Sequence, residues 1–280
     1  MRSSSRTREF KFTNRDFRWV TSEIHSRAGI SLSDAKRDLV YNRLSRRLRA
    51  LGLESVSDYR QVIERGDRDE AVEFVNAITT NVTSFFREDH HFDFLSRVAL
   101  PEIRQKNRSS GRIRIWSAGC SSGEEPYSIA MTLLQSGVDV SRWDIRVLAT
   151  DIDTKVVEKA RQGVYPLERV EPVGKARLHR WFHRGSGDNQ GRVRVIEPLR
   201  DLITFRTLNL MGEWPMNGPF DVIFCRNVMI YFDKDTQQRL LERYADLLVE
   251  GGYLIIGHSE SVGTCERFES VGRTIYRKLG

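Results

Sequence analysis

The sequence predicts an α/β fold: an all-helical N-terminal part, then a doubly wound, mostly parallel sheet carrying a small antiparallel β insert. Three features predict it. Ile113–Tyr127, reading I-R-I-W-S-A-G-C-S-S-G-E-E-P-Y, runs from an apolar strand through small residues into a helix opened by Pro126. Beyond it, strand and helix patterns alternate, which is the signature of a mostly parallel sheet. Before it, residues 14–98 carry only helical periodicity.

The elements follow in order. Met1–Arg8 is rich in Ser and Arg and lacks the apolar core of a secretory signal, so residues 1–13 are expected to form a disordered tail. Helices are expected over Arg15–Ala28, Asp34–Leu51, Asp58–Arg65 and Asp69–Thr79, with another from Glu88 onward. Within Asp34–Leu51, Val40, Leu44, Leu48 and Leu51 share one apolar stripe. Arg43, Arg46 and Arg49 occupy the opposite arc, with Arg47 at its margin. The polar break Asn107–Arg112 closes a helical domain over 14–108, and 112–280 reads as the sheet domain.

In the loop after the first strand, Gly119 and Gly123 let the backbone approach a ligand, and the helix N-terminus supplies free N–H groups. The loop departs from G-x-G-x-x-G, and the Glu124 and Glu125 that follow it would repel a pyrophosphate. They suit a ligand with positive charge, such as S-adenosylmethionine with its ammonium and sulfonium. An ordinary βα turn with an acidic first helical turn would read the same way. Asp144–Asp151 is a buried strand ending in an acid, which in doubly wound folds accepts ribose hydroxyls. Asp151 is therefore the candidate ribose ligand, and Asp153 a helix cap. Glycines and the alternating Val193–Val195 replace helical signals across Gly163–Leu202, hence an insert over 163–202. Phe220–Asn227 is a fourth strand, and Gly251–His258 a fifth, entered from the amphipathic helix Thr236–Val249. On neighbouring first and fourth strands, Cys120 and Cys225 are expected beside the cofactor, which should protect at least one of them from alkylation.

Bulk properties bound the rest. The 280 residues suffice for two domains, and 30% of them are charged, with a mean hydropathy of −0.47. No apolar run approaches the ~18–20 residues needed to span a bilayer, so no membrane insertion is expected. Three scattered cysteines point to a reducing compartment, hence the cytoplasm, and the histidines lack metal-ligand spacing, so no metal is expected. A net charge of +7 implies an acidic partner.

Five stretches in this order resemble the signatures of the CheR-type chemotaxis receptor methyltransferases, over about Phe12–Lys278. They are Thr79–Glu88 (T-T-N-V-T-S-F-F-R-E), Trp116–Ala130, Ala149–Asp153 (A-T-D-I-D), Leu208–Leu210 (L-N-L) and Phe224–Phe232 (F-C-R-N-V-M-I-Y-F). The resemblance implies a Rossmann-like methyltransferase sheet and methylation, by S-adenosyl-L-methionine, of glutamates on the cytoplasmic helices of methyl-accepting chemoreceptors. Carried onto this chain, the cofactor contacts would be Asn81, Thr83, Arg87, Glu124, Asp151, Asn209, Leu210, Arg226 and Asn227, joined by Gly119 from the loop itself. Tyr231 would sit near the transferred methyl. A monomer is expected.

A glutamate nucleophile is ionised at neutral pH, so no general base is needed. Transfer from sulfonium to carboxylate consumes two opposite charges, and a dry cavity that aligns the reacting atoms contributes most. Arg87 and Tyr231 are the candidates for placing that carboxylate; a plain salt bridge and a core aromatic are the competing readings. Arg43, Arg46 and Arg49 would dock the acidic methylation region, or form only a solvated face. The glycine-containing loop Gly185–Gly191 resembles that of family members that tether to a receptor's C-terminal peptide. With Arg180, Arg184, Arg192 and Arg194 around it, the insert would take such a peptide along its open edge, or serve as a lid. An RNA methyltransferase would share the sheet and the basic charge, but its strand should end in an acceptor motif such as N-P-P-Y, where this one reads C-R-N-V. No nucleic acid is expected. A non-catalytic adaptor should show a broken cofactor loop, and this loop is complete.

Overall fold

The computed structural model describes residues 8–280, so residues 1–7 of the expected tail lie outside the described residues. The chain forms two compact units: residues up to 80 with 231–233, and residues 81–230 with 234–280.

The first unit is helical. α1 (Asn14–Ala28) opens on a reciprocal cap between Thr13 and Asp16 and closes on Gly29 in the left-handed region. α2 (Arg37–Leu51) follows a 3₁₀ turn over Asp34–Lys36, because Ser33 makes no side-chain cap that would start the α-helix earlier. α3 (Val56–Glu64) is capped by Ser55 and α4 (Arg68–Ile78) by Asp67. Val40, Leu44 and Leu48 are buried as their spacing predicts, whereas Leu51, in the last turn, is exposed. Residues 8–13 are not a loose tail. Phe10 and Phe12 are buried, Phe12 packs on Phe17 and Tyr41, and Arg8 pairs with Asp38 at 2.5 Å. Alternate apolar residues before the first cap secure the segment by burial.

A charged cluster sits inside this unit. Buried Glu70 accepts from the Tyr59 hydroxyl at 2.7 Å and from Arg47 Nε at 2.8 Å, and a second Arg47 nitrogen reaches its other oxygen. Arg47 also pairs with Glu73 at 3.3 Å. Burial and the Glu70 carboxylate both push the Tyr59 hydroxyl up, so it stays a donor.

The second unit begins with α5 (His90–Phe94) and α6 (Leu100–Lys106), joined through a π turn over Leu95–Ala99. β1 (Arg112–Ala118), α7 (Glu124–Gln135), β2 (Asp144–Asp151) and α8 (Thr154–Gln162) follow. The insert holds β3 (Val164–Pro166), α9 (Leu167–Val170), α10 (Lys175–Trp181), β4 (Phe182–Arg184), β5 (Arg192–Val195) and α11 (Glu197–Arg200). β6 (Ile203–Thr207), β7 (Phe220–Cys225), α12 (Lys234–Leu247), β8 (Leu248–Ile256), β9 (Phe268–Gly272) and β10 (Ile275–Lys278) complete it.

The large sheet runs β6-β2-β1-β7-β8-β10-β9, its first five strands parallel and β10 antiparallel to both neighbours. The order reverses at β1, so the loops after β1, β2, β6 and β7 gather at one edge, where α/β sheets bind ligands. The insert is a separate antiparallel sheet, β3-β5-β4. The polar stretch 107–112 connects α6 to β1 inside this unit and does not divide the chain, unlike the expected boundary. Phe92, Leu95, Ala99, Leu100 and Ile103 bury their apolar stripe in the sheet's own core. Helical period reveals such a stripe but not which core receives it.

Removing the acceptor at the centre of the helical unit's cluster would leave a half-buried guanidinium with Glu73 alone and a buried phenol without its acceptor. Glu70→Ala is expected to cost about 3 kcal/mol and Tyr59→Phe about 1 kcal/mol, both read as lower midpoints in urea unfolding of the full chain.

Candidate active site

The loop after β1 is set by three consecutive amides. Gly119 and Cys120 N–H both donate to the Thr150 carbonyl at 2.8 Å, and Ser121 N–H donates to Asp151 Oδ2 at 2.8 Å. The turn holds Gly119 at φ +91°, where a Cβ would come within 2.2 Å of a Val228 methyl, so no other residue fits. Gly123, at φ +97°, packs equally close to Tyr165 and Ala160.

Asp151 is buried at the end of β2, and its second oxygen accepts the Asp153 N–H at 3.0 Å. Burial pushes its carboxyl up to about 6 despite these two amides. Each carboxylate oxygen keeps a further lone pair, so two hydroxyl donors such as a ribose diol fit it. Asp153 caps α8 through Lys155 and Val156 N–H, as expected of it, and its other oxygen takes the Asn81 amide at 2.6 Å. The Asn81 carbonyl in turn accepts from Ser121 at 2.9 Å. The neighbouring β6 loop is tied in by Leu208 N–H, which donates to the Asp151 carbonyl at 2.9 Å. Asn209 then accepts Met211 N–H at 2.9 Å, and Leu210 is buried.

Glu124 is completely buried at the start of α7. Ser122 donates to one oxygen at 2.7 Å, and Arg169 lies 3.2 Å from the other and 3.2 Å from the Thr83 carbonyl. Glu125 points elsewhere, to Ser117 at 2.7 Å and to the nearly buried Arg226 at 3.1 Å. Burial raises its carboxyl, against the pull of Arg226. Arg226 also donates to the Arg87 carbonyl and lies 3.7 Å from Glu88, while its buried Nε has no partner. Burial would raise Glu88, but the His258 hydrogen bond at 2.9 Å and the Arg226 charge outweigh it and hold Glu88 low. His91, pushed down to about 3 by burial first and by Arg226 second, is neutral beside it.

Asn227 takes a positive φ of 58°, held by Glu260, which accepts Asn227 N–H at 2.8 Å, Gly257 N–H at 2.6 Å and Ile230 N–H at 3.1 Å. Arg87, a third exposed, donates to the Val82 carbonyl at 3.1 Å.

The sheet unit thus brings together Asn81, Thr83, Arg87, Gly119, Glu124, Asp151, Asn209, Leu210, Arg226 and Asn227. Tyr231 belongs to the three-residue stretch that clusters with the helical unit, where its carbonyl accepts Ser31 N–H at 2.8 Å. On α2, the expected basic arc splits. Arg43 turns onto the carbonyls of Ile78 and Thr79, at 2.8 Å for Thr79, whereas Arg46 and Arg49 stay exposed, with Arg49 3.1 Å from Glu9. Cys120 and Cys225 do lie at the ends of neighbouring strands, but both are completely buried and burial pushes both thiols well up. The expected protection from alkylation is thereby overturned, since a buried thiol of raised pKa is inert with or without a ligand. Arg169, Tyr165 and Glu260 make contacts around this loop cluster that no spacing marked, and Glu88, the last residue of the Thr79–Glu88 stretch, does so without having been singled out. Among the described residues, no group of His, Cys, Asp or Glu could hold a metal ion.

The donor set fits S-adenosylmethionine: a buried carboxylate for a cation, a second for a diol, and an orphaned guanidinium N–H for an anion. One pH unit below its pKa a carboxyl is about one-tenth ionised, and a protonated Asp151 can no longer accept from both hydroxyls. Affinity for S-adenosylhomocysteine, measured by calorimetry, is therefore expected to hold above pH 7 and fall roughly tenfold by pH 5. Asp151→Asn should bind weakly across the same range.

A family model described as the CheR methyltransferase SAM-binding domain matches residues 81–277, and one described as the CheR all-alpha domain matches residues 15–79. The chain is 48% identical over 272 residues to chemotaxis protein methyltransferase 2 of Pseudomonas aeruginosa, covering 96% of this chain and 94% of that relative. Against the chemotaxis protein methyltransferase of Escherichia coli K12 it is 47% identical over 274 residues, covering 96% and 93%. The corresponding protein of Borreliella burgdorferi is 39% identical over 261 residues, covering 91% of each chain. With both halves matched and relatives aligned over nearly their whole length, this chain belongs to the CheR methyltransferase family.

Proposed function

We propose that this protein transfers a methyl group from S-adenosylmethionine to glutamate side chains on the cytoplasmic helices of methyl-accepting chemoreceptors, working as a monomer in the cytoplasm. The observation that carries the reading is the fully buried Glu124 carboxylate directly after the glycine loop, where a phosphate-binding sheet would present no acid. The relatives, named as chemotaxis protein methyltransferases, support a substrate in the chemotaxis system.

The cofactor supplies an electrophilic methyl on a sulfonium. This chain's residues bind and orient. Asp151 takes the ribose hydroxyls, Glu124 the ammonium, and Arg87 or Arg226 a carboxylate. The glutamate nucleophile arrives ionised, so the site places it and excludes water. Arg87 must hold that oxygen lightly, since a tight fork on the nucleophile would slow attack. Tyr231, by family resemblance, is proposed beside the transferred methyl. Arg46 and Arg49, backed by Arg43, form the proposed docking face for the acidic receptor helices, which salt should weaken.

The insert is proposed as a tether. Its groove of about 780 Å³ is lined by Arg161, His183, Arg184, Arg192 and Arg194. β4 is an edge strand, and the side chains of Arg192 and Arg194 face outward while Val193 and Val195 face in. An acidic C-terminal receptor peptide suits both the charge and the open edge.

Labelled S-adenosylmethionine incubated with the organism's receptor membranes should mark receptor glutamates and leave RNA unlabelled; label in RNA alone would replace this reading. Arg87→Ala should lose most turnover while folding normally, and Arg87→Lys should rescue it only in part, because a point charge cannot reproduce the fork.

In calorimetry, C-terminal receptor peptides should bind the wild type and fail to bind Arg184→Glu/Arg194→Glu. Tailless receptors should still be methylated by that variant. Peptide binding unchanged by the double substitution would leave the insert as a lid.

A further inference from the structure

The insert touches the cofactor loop as well as its own groove. β3 sends Tyr165 to the loop, where its hydroxyl donates to the Ser122 carbonyl at 2.7 Å and its ring packs on Phe85 at 5.1 Å between centroids. Four residues on, α9 presents Arg169, whose Nη1 lies between Thr83 O and Glu124 Oε1, 3.2 Å from each. The pair is asymmetric: Glu124 is fully buried, and the Arg169 side chain is 44% exposed. An exposed ion pair is worth little, but a buried carboxylate that loses its charged donor is left uncompensated. Ser122, a neutral hydroxyl on the opposite oxygen, cannot replace that charge. By touching Thr83 as well, Arg169 fixes the distance between Glu124 and the segment that also bears Asn81 and Arg87.

We propose that Arg169 is a positioning residue, which aims the Glu124 carboxylate at the cofactor's α-ammonium and registers it against the 81–87 segment. This rests on the S-adenosylmethionine reading above. It makes the insert a working part of the cofactor site, whatever its groove binds. Arg169 touches neither reacting atom. Its effect is confined to the amino-acid end of the ligand, because Asp151, at the ribose end, has its own amide donors from Ser121 and Asp153.

That confinement is testable with a truncated ligand. 5′-Methylthioadenosine keeps the adenosine and the sulfur of S-adenosylhomocysteine and lacks the ammonium. In calorimetry on the full chain, Arg169→Ala is expected to weaken S-adenosylhomocysteine about tenfold and 5′-methylthioadenosine less than twofold. Arg169→Lys should recover part of the loss, since it restores the charge on a shorter side chain that ends short of the position of Nη1. Arg169→Gln, which keeps the length and loses the charge, serves as a second variant should the alanine form fold poorly, and should behave like it. Equal losses for the two ligands would reduce Arg169 to general support and overturn the proposal. Unchanged or improved S-adenosylhomocysteine binding would also overturn it. If the wild type bound neither ligand, the cofactor reading itself would fail, an outcome separate from these.

Discussion

The amides of Gly119, Cys120 and Ser121 leave β1 and turn at once onto β2, two on the Thr150 carbonyl and one on the Asp151 carboxylate. That short clamp fixes the geometry of everything downstream. It forces Gly119 into the left-handed region against Val228, which binds the loop to the turn after β7. It orients Ser121 to hold Asn81, and so draws in the segment that carries Thr83 and Arg87. It also delivers Glu124 to the first turn of α7 with its carboxylate sealed from water. A ligand site at a strand-order reversal needs several loops held in register; here two backbone hydrogen bonds onto the Thr150 carbonyl hold the loop whatever the pH, while the third depends on the ionisation of Asp151.

Around that frame, charges are arranged so that none is buried alone. Arg226 lies between Glu125 and Glu88, Glu88 also meets His258, and Glu260 spends both oxygens on three amides of the turns after β7 and β8. The two acids after the glycine loop therefore divide their labour: Glu124 faces Ser122 and Arg169, whereas Glu125 is committed to Arg226 and Ser117. The composition of the loop presented them alike, and only the family resemblance singled out Glu124. Burial raises Glu125 and Asp151, while Glu88, with its partners, is held low, so neighbouring carboxylates differ in their readiness to lose a proton. Such spread is characteristic of functional sites.

Local grammar was legible in the chain. The Ile113–Tyr127 loop, the acid ending β2, the apolar stripe of α2 and the glycines and alternation of the insert all rest on residues close in sequence, and they stand where their patterns placed them, except Leu51, which is exposed in the last turn of α2. What was hidden depends on long-range choice. The stripe of 90–106 fits any core, and it joined the sheet. β9 and β10 are short and β9 is mostly exposed, so neither alternation nor an apolar run announced them. The Arg43 spacing marked a surface arc, yet the carbonyls at the end of α4 claimed its guanidinium. Arg169 is one arginine among many in a polar stretch; only the fold sets it against Glu124.

The helical unit is not one continuous piece of chain. Residues 231–233 belong to it, with the Tyr231 carbonyl on Ser31 N–H and Asp233 3.3 Å from His25. On the ribosome, the four helices emerge long before this last piece is made. Their final contacts wait until most of the sheet has been synthesised, so the end of one unit's assembly is timed by the growth of the other. A gene fragment encoding residues 1–80 alone would yield a helical bundle lacking part of its own surface, and any division of this protein into halves has to respect a chain that visits the first unit twice.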